Sequence, residues 1–363
     1  MIKSRPKYIN TEKDQMLFLE LKRLTNEMIK SLPKSRLHQL KIKFFIYPLI
    51  YFGLYLIALY NADNIGFYLL CFCFMGFMVV IIFCELIHEL THNNIFKKSH
   101  HNKIALNLFD LLGANSYIWQ KRHLNLHHQY PNVNGWDADI EQKGPIAIFP
   151  SEENKSLTKY QHRYIFLLYP LFMLNWLFIR DFRDFFSQKR IIKKIVKIPS
   201  VEYFKLFFFK LLYIFTLVFI PYLFAKTHLL HAFGGLLCLT VSGSILAMIV
   251  LLTPHINVSN EFPQTDSNGK IGSSWFRHQL ITTNDIDNSN WLTRNFMGNF
   301  NFHVVHHIFP HISSVYTPEA TSLLKSFCKK NNLPYKSYPL GLALKKHYEL
   351  IRKNALPLHE MDL

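Results

Sequence analysis

Four apolar stretches constrain this chain more than any other feature. They are Phe44–Tyr60, Gly66–Ile87, Phe204–Phe224 and Leu229–Thr253. Each approaches the roughly 20 apolar residues that a helix needs to cross a bilayer. The 363-residue chain is 50% hydrophobic, and that hydrophobicity is gathered in blocks, as in a membrane protein. Short turns, Asn-Ala-Asp-Asn-Ile at 61–65 and Ala-Lys-Thr-His at 225–228, join the stretches in pairs. The pattern predicts an all-α integral membrane protein with four transmembrane helices in two hairpins. It divides into a basic N-terminal segment (1–43), a membrane domain (44–340) and a C-terminal tail (341–363).

Two further apolar runs, Ala105–Trp119 and Tyr164–Ile179, are interrupted by polar residues. The first holds Asn107, Asp110 and Asn115; the second holds Pro170 and Asn175. At helical rise the second reaches only about 24 Å. Both are read as interfacial or buried helices.

The formal net charge is +17, and the Lys and Arg flank the apolar blocks rather than enter them. That fits the cytoplasmic face of a membrane better than a nucleic-acid surface. The turn at 61–65 has no Lys or Arg, and the turn at 225–228 has only Lys226. The segment before residue 44, which includes Lys3, Arg5 and Lys43, is basic, as are 88–203 and the tail after 254. Both termini are therefore predicted on the cytoplasmic side. Residues 1–43 contain no cleavable apolar stretch, so no signal peptide is expected. The five cysteines are odd in number and four lie in apolar blocks, which argues against a disulfide framework. The Ile-, Lys-, Asn- and Phe-rich composition points to an AT-rich bacterial genome and an inner-membrane location.

Eight histidines fall in three tight boxes: His88 and His92; His123, His127 and His128; His303, His306 and His307. Gaps of three or four residues put side chains on one helical face. His128 is expected about 100° round from His127. His255 is a ninth candidate, just after Pro254 where the fourth stretch ends. A lone histidine is usually a satisfied core residue, so His255 by itself stays open. If the boxes share one site, an even number of crossings must separate them. None between boxes one and two, and two between boxes two and three, meets that condition. His228 and His231 fall on the opposite side. His278 and His311 read as surface or hydrogen-bonding residues.

Imidazole suits iron, copper and zinc, and one zinc takes four ligands. Eight or nine nitrogens therefore suggest two metal ions. Carboxylates that orient metal-bound imidazoles are sought in Asp137, Asp139, Glu85 and Glu89. Neutral nitrogen donors with few carboxylates fit zinc hydrolysis poorly. They fit two irons (Fe2+/Fe3+) that use dioxygen and two electrons to attack an unactivated C–H bond. A membrane setting supplies an acyl chain as substrate. Two alternatives stay open: a fatty acyl or carotenoid hydroxylase on the same scaffold, and, further off, a membrane metal transporter or metal-binding scaffold. Transport would need ionisable residues deep in the spans.

The three boxes, with Trp119-Gln-Lys-Arg-His123, Tyr130-Pro-Asn-Val-Asn-Gly135-Trp-Asp137, Trp275-Phe-Arg-His-Gln279 and His306-His307-Ile-Phe-Pro310, resemble the integral-membrane fatty acid desaturase family. The resemblance covers about residues 40–340 and is closest to the acyl-lipid and linoleoyl-CoA-type, front-end-like branch. It implies transmembrane helices under a cytosolic helical cap that holds a di-iron centre, with His255 as a ligand. It also implies dioxygen-dependent dehydrogenation of a fatty acyl-CoA or acyl-lipid. Front-end members usually begin the third box with Gln, and this chain has His303, so the double-bond position is left open. The His-Pro-Gly-Gly haem motif of a fused cytochrome b5-like domain is not found. The electrons are then expected from a separate ferredoxin- or cytochrome b5-type donor with its reductase.

Overall fold

The computed structural model describes residues 5–141, 146–150, 158–225, 227–287 and 289–355. Lys3 and Lys226, two of the basic residues used above, lie outside them, as does the end of the C-terminal tail. The described residues are mostly helical, with two parallel strand pairs of two residues each.

Five helices are long and apolar enough to cross a membrane, judged by length and composition: Lys34–Tyr60, Ile65–Thr91, Gln161–Ile195, Ser200–Phe224 and Leu229–Leu251. Three contain predicted stretches whole, and the fourth, Leu229–Leu251, ends two residues short of the predicted Thr253. The fifth contains the Tyr164–Ile179 run that the sequence set aside as too short. Its helical path continues past Pro170 because the backbone tightens into a 3-10 turn at Tyr169–Leu171. It then widens into a π turn at Trp176–Arg180. A proline removes one backbone donor, and the change of pitch absorbs that loss without ending the helix.

Helices Ile65–Ile82 and Leu229–Leu251 form the closest pair in the core. A Cβ on Gly76 would sit 2.1 Å from Ser242 Oγ and 2.2 Å from Leu239 O. Only a glycine allows that approach, and small residues draw membrane helices together in this way. Ser242 Oγ uses the closeness to donate to Cys73 O at 2.8 Å. The turn between the first two helices ends on Asn64, whose side chain accepts from Phe67 N and starts the second.

One end of this bundle is covered by shorter helices and loops. Glu12–Ser31 lies over it, with Phe18 packed on Trp275, Phe276 and Phe309. Lys7–Tyr8 pairs with Lys270–Ile271, and Asp285–Ile286 with Ser337–Tyr338, both in parallel. The helix Leu340–Lys353 is tied down by His347, whose Nδ1 donates to Ile256 O at 2.7 Å. Lys210 is buried inside Ser200–Phe224 and is neutralised by Asp181 at 2.7 Å. The spans are thus less free of charge than their hydropathy implies.

Candidate metal centre

Each histidine box is delivered by a different local device. Box one ends the helix Ile65–Thr91, directly after a π turn at Phe83–Ile87. Box two lies on the helix begun at Ser116, where Asn115 caps by accepting from Ile118 N. That helix also widens into a π turn, over His123–His127. The i→i+5 bond from His128 N to His123 O spreads the turn. His128 therefore does not point away as a regular α-helix would require; its Nε2 lies 3.1 Å from His123 Nε2. Box three is a six-residue helix, His303–Ile308, started by Asp285, which accepts from Val304 N at 2.7 Å. His255 follows Leu229–Leu251 in the turn where Asn132 Nδ2 donates to its carbonyl.

These devices bring all nine histidines together, and among the described residues they form two groups that could each hold a metal ion. One comprises His88, His92, His123 and His306; the other His127, His255, His303 and His307. Within each group the nearest ligand atoms lie within 4.8 Å of one another. His128 stands beside the first group, 3.2 Å from His306 Nε2, and its ring stacks on His307 of the second. His123, His127 and Asp139 form a third, overlapping set.

The proton positions follow from the partners. His255 Nδ1 faces the Thr282 carbonyl at 3.3 Å, which can only accept, so Nδ1 carries the proton. His127 Nδ1 faces both oxygens of Asp137, at 3.0 and 3.1 Å. His123 Nδ1 faces Asp139 at 2.9 Å, and His307 Nδ1 faces Gln279 Oε1 at 3.1 Å. In His123, His255 and His307 Nε2 is then a bare lone pair turned inward. Burial lowers His127, but Asp137 outweighs it and raises that ring, so a cation at its inward Nε2 would take the place of a proton. His255 Nε2 meets His307 Nε2 at 2.9 Å, with no proton to share between them. Burial, then the neighbouring imidazoles, hold both rings well below the ordinary histidine value, so neither supplies one by charging. His128, His303 and His306 are depressed for the same two reasons.

Facing lone pairs repel unless a cation lies between them. A separation of about 2.9 Å lets both nitrogens reach one shared ion at the usual metal–imidazole distance of about 2.0–2.1 Å. Among the described residues, His88 Nε2 and His92 Nε2 are buried without a hydrogen-bond partner, as ligand nitrogens would be. The donor set fits a pair of divalent, imidazole-preferring ions.

Asp137 and Asp139 thus lie against the outer nitrogens of His127 and His123. Glu85 and Glu89 are turned elsewhere. Glu85 accepts from Lys43 Nζ and Gly298 N, both at 2.8 Å, and Glu89 accepts from Ser314 N at 3.1 Å. Both carboxylates brace the loops around box three rather than an imidazole. Gln279 and the Thr282 carbonyl were missed as partners; only the crossing of Trp275–Thr282 over box three identifies them. His278 is buried and bonds Pro131 O at 2.8 Å, so it keeps a hydrogen-bonding role.

Arg122 is the other unforeseen participant. Its Nε donates to Asp139 and its Nη1 to Asp184, both at 2.6 Å, and Asp184 is also bonded by Arg190. Burial would raise the Asp139 carboxyl, but Arg122 and His123 outweigh it and hold it well below the usual range. The Trp176 ring lies between Arg122 and Arg180, 5.4 Å from each. A cavity of about 80 Å³ opens against the histidines, walled by Phe83, Trp119, Phe172, Trp176, Leu251 and Phe300.

Comparison with known proteins agrees with this geometry. The family model described as fatty acid desaturase matches residues 63–339. An acyl-lipid (8-3)-desaturase of Physcomitrium patens is 28% identical over 86% of this chain and 65% of its own length. An sn-1 linoleoyl-lipid 6-desaturase of Synechocystis sp. is 27% identical over 69% of this chain and 70% of its own. One of Arthrospira platensis is 26% identical over 82% and 81%. The chain thus spans just under two thirds of the Physcomitrium protein and more of the other two. With three histidine boxes converging at one end of a bundle of apolar helices, this integral membrane protein belongs to the fatty acid desaturase family.

Proposed function

We propose that the chain is an acyl-lipid desaturase. Two irons would be held by His88, His92, His123, His128 and His306 on one side and by His127, His255, His303 and His307 on the other. The observation that carries this is the inward convergence of Nε2 lone pairs whose Nδ1 protons are already committed outward. Two such irons would supply removal of two hydrogens from adjacent acyl carbons; those two hydrogens, dioxygen, two electrons and two protons would leave as two waters.

The chain's own residues do the rest. Asp137, Asp139, Gln279 and the Thr282 carbonyl fix the ring orientations. Phe83, Trp119, Trp176 and Phe300 line the adjoining cavity and keep water from the reacting carbons. The electrons come from a ferredoxin- or cytochrome b5-type donor, drawn to the basic face.

We further propose four crossings, with both termini and the histidines at the cytoplasmic face of a bacterial inner membrane. Support comes from the helix Gln161–Ile195. Gln161 Nε2 donates to Ile351 O, on the C-terminal helix that docks at Ile256. Arg180 Nη2 donates to Asp139 O at 2.9 Å. Two points 19 residues apart on this helix therefore meet elements packed beside the histidines, which suits a helix that dips and returns.

The test is expression in a host of known lipid composition, fed saturated and unsaturated acyl chains, with double bonds located by mass spectrometry. A new double bond is expected, and its loss in His307→Ala while the protein still inserts. An oxygen added to the chain instead of a double bond would overturn desaturation in favour of hydroxylation. Undiminished product in His92→Ala, His127→Ala and His307→Ala would overturn the di-iron assignment.

A further inference from the structure

An apolar cavity of about 530 Å³ lies along the helix Gln161–Ile195, closed by Ile146 and Ile148, by Met248 and Leu252, and by His347 and Ile351 of the C-terminal helix. Phe172 and Leu252 line both this cavity and the smaller one against the histidines, so the two meet at a shared wall. Its lining is mostly Ile, Leu and Phe, with two lining residues, Leu171 and Ile179, 45% and 51% exposed on the outer surface of their helix. A rim of exposed Leu and Ile on an apolar helix faces lipid rather than water.

The same lining contains Arg180, Arg183 and Arg190 beside Glu141. Arg190 pairs with Glu141 at 2.7 Å and with Asp184 at 2.6 Å, and Arg180 Nη2 donates to the Ala138 and Asp139 carbonyls. Arg180 is 6% exposed and Arg190 4%. Arg180 Nε and Arg190 Nη2 are buried and make no hydrogen bond among the described residues. Arg183, half-buried on the same helix face, takes part in no described ion pair or side-chain hydrogen bond. A buried guanidinium N–H left without an acceptor is costly, and here two of them and a free arginine border one opening. What Arg183 and these two spare N–H groups can still take is an anionic oxygen group at the boundary between an apolar slot and a basic cap. That is the level at which a phospholipid carries its phosphate, and arginine binds phosphate through paired N–H donors.

We propose that Arg183, with Arg180 and Arg190, holds the phosphate of a membrane glycerophospholipid that enters sideways from the bilayer. Its acyl chain lies in the 530 Å³ cavity and leads past Phe172 toward the histidines. That the bound lipid is the substrate rests on the desaturase reading; the head-group site itself does not. Binding to the arginines would make the acyl carrier a lipid of the bilayer, not a soluble thioester.

The test is lipid retention by the full chain, purified in detergent without added iron and read by native mass spectrometry. The probes are dioleoylphosphatidylglycerol, dioleoylglycerol and oleoyl-CoA. The phosphatidylglycerol complex is expected to bind at least tenfold tighter than dioleoylglycerol, which has the same chains and no phosphate. Arg183→Gln is expected to lose that tenfold, Arg183→Lys to keep most of it, and Lys189→Gln, an exposed cation outside the cavity lining, to change nothing. Arg183 supports no described ion pair, so melting temperatures of these variants should match the parent. Equal retention by Arg183→Gln, equal binding of dioleoylglycerol, or displacement of phosphatidylglycerol by equimolar oleoyl-CoA would each overturn the proposal. The readout needs neither iron nor turnover. Lipid bound through Arg183 in a chain that never makes a double bond would sink the desaturase reading alone; double bonds with unaltered Arg183→Gln binding would sink this one alone.

Discussion

At the scale of single residues, the centre is governed by what each imidazole does with its outer nitrogen. Asp137 holds His127 through both carboxylate oxygens and also accepts from Asn132 N and Asp139 N. Removing such a partner typically costs roughly 10–100-fold in metal affinity. Asp137→Ala is therefore expected to lower iron retention by that factor, measured by metal analysis after dialysis. His127→Ala should lose more; a larger loss in the aspartate variant would mean that Asp137 binds the metal itself.

The histidines themselves were legible because three- and four-residue spacing survives any helical geometry. Asp137 and Asp139 were legible because they follow box two closely. Gln279, Thr282 and Arg122 were not, since their partners lie 17 to 62 residues away and no local pattern records the crossing. Glu85 lies one turn before His88 and Glu89 directly after it, yet their carboxylates are drawn off by Lys43, Gly298 and Ser314.

At the scale of elements, the π turns decide which histidines meet. Nothing in Phe83–Ile87 or His123–His127 announces one: neither contains proline or glycine. A regular α-helix at box two would have sent His128 outward, and the wider turn holds it beside His123. The second decisive element is the helix Gln161–Ile195, whose arginine- and aspartate-rich end the sequence reading left out of its apolar run.

Through Asp184 that helix clamps Arg122, and through Arg122 it clamps Asp139 and His123. Arg122, Asp184 and Arg190 are all almost fully buried. Deleting one partner of such a network leaves a buried charge uncompensated, at about 3–5 kcal/mol. Arg122→Leu is expected to destabilise by that order in denaturant unfolding in detergent and to lose iron as well. Unchanged stability would remove the clamp.

The C-terminal helix gives a pH-dependent contact. Burial pushes His347 down to about 4 against the opposing pull of the Ile256 carbonyl. Its ring is neutral in the fold, with Tyr169 bonded to Nε2. A folded value below the unfolded one, about 6.5, means the unfolded chain binds more protons. Stability from this group is present above about pH 6.5 and is lost as pH falls toward 4. Thermal melts across that window should show His347→Gln, which keeps a donor and an acceptor but does not titrate, with a shallower decline than the parent.

At the scale of the whole molecule, the apolar blocks were legible because a bilayer demands length and hydropathy together. How many helices cross was not, because Gln161–Ile195 satisfies the length while its ends contact the histidine-bearing side. Topology reporters decide the matter. A phosphatase active only outside the cytoplasm should be silent when fused after residue 363 and active when inserted at Asn61–Asn64. Activity at the C-terminal fusion would require an odd number of crossings.

Each group of histidines draws on segments made far apart in time. The first joins His88, His92 and His123 to His306, and the second joins His127 to His255, His303 and His307. A ribosome that has delivered boxes one and two has built neither. Box three comes last, after three more long apolar helices have been made. A polypeptide interrupted before residue 303 therefore carries neither group complete into the membrane. The order of synthesis itself delays the assembled centre until box three is made.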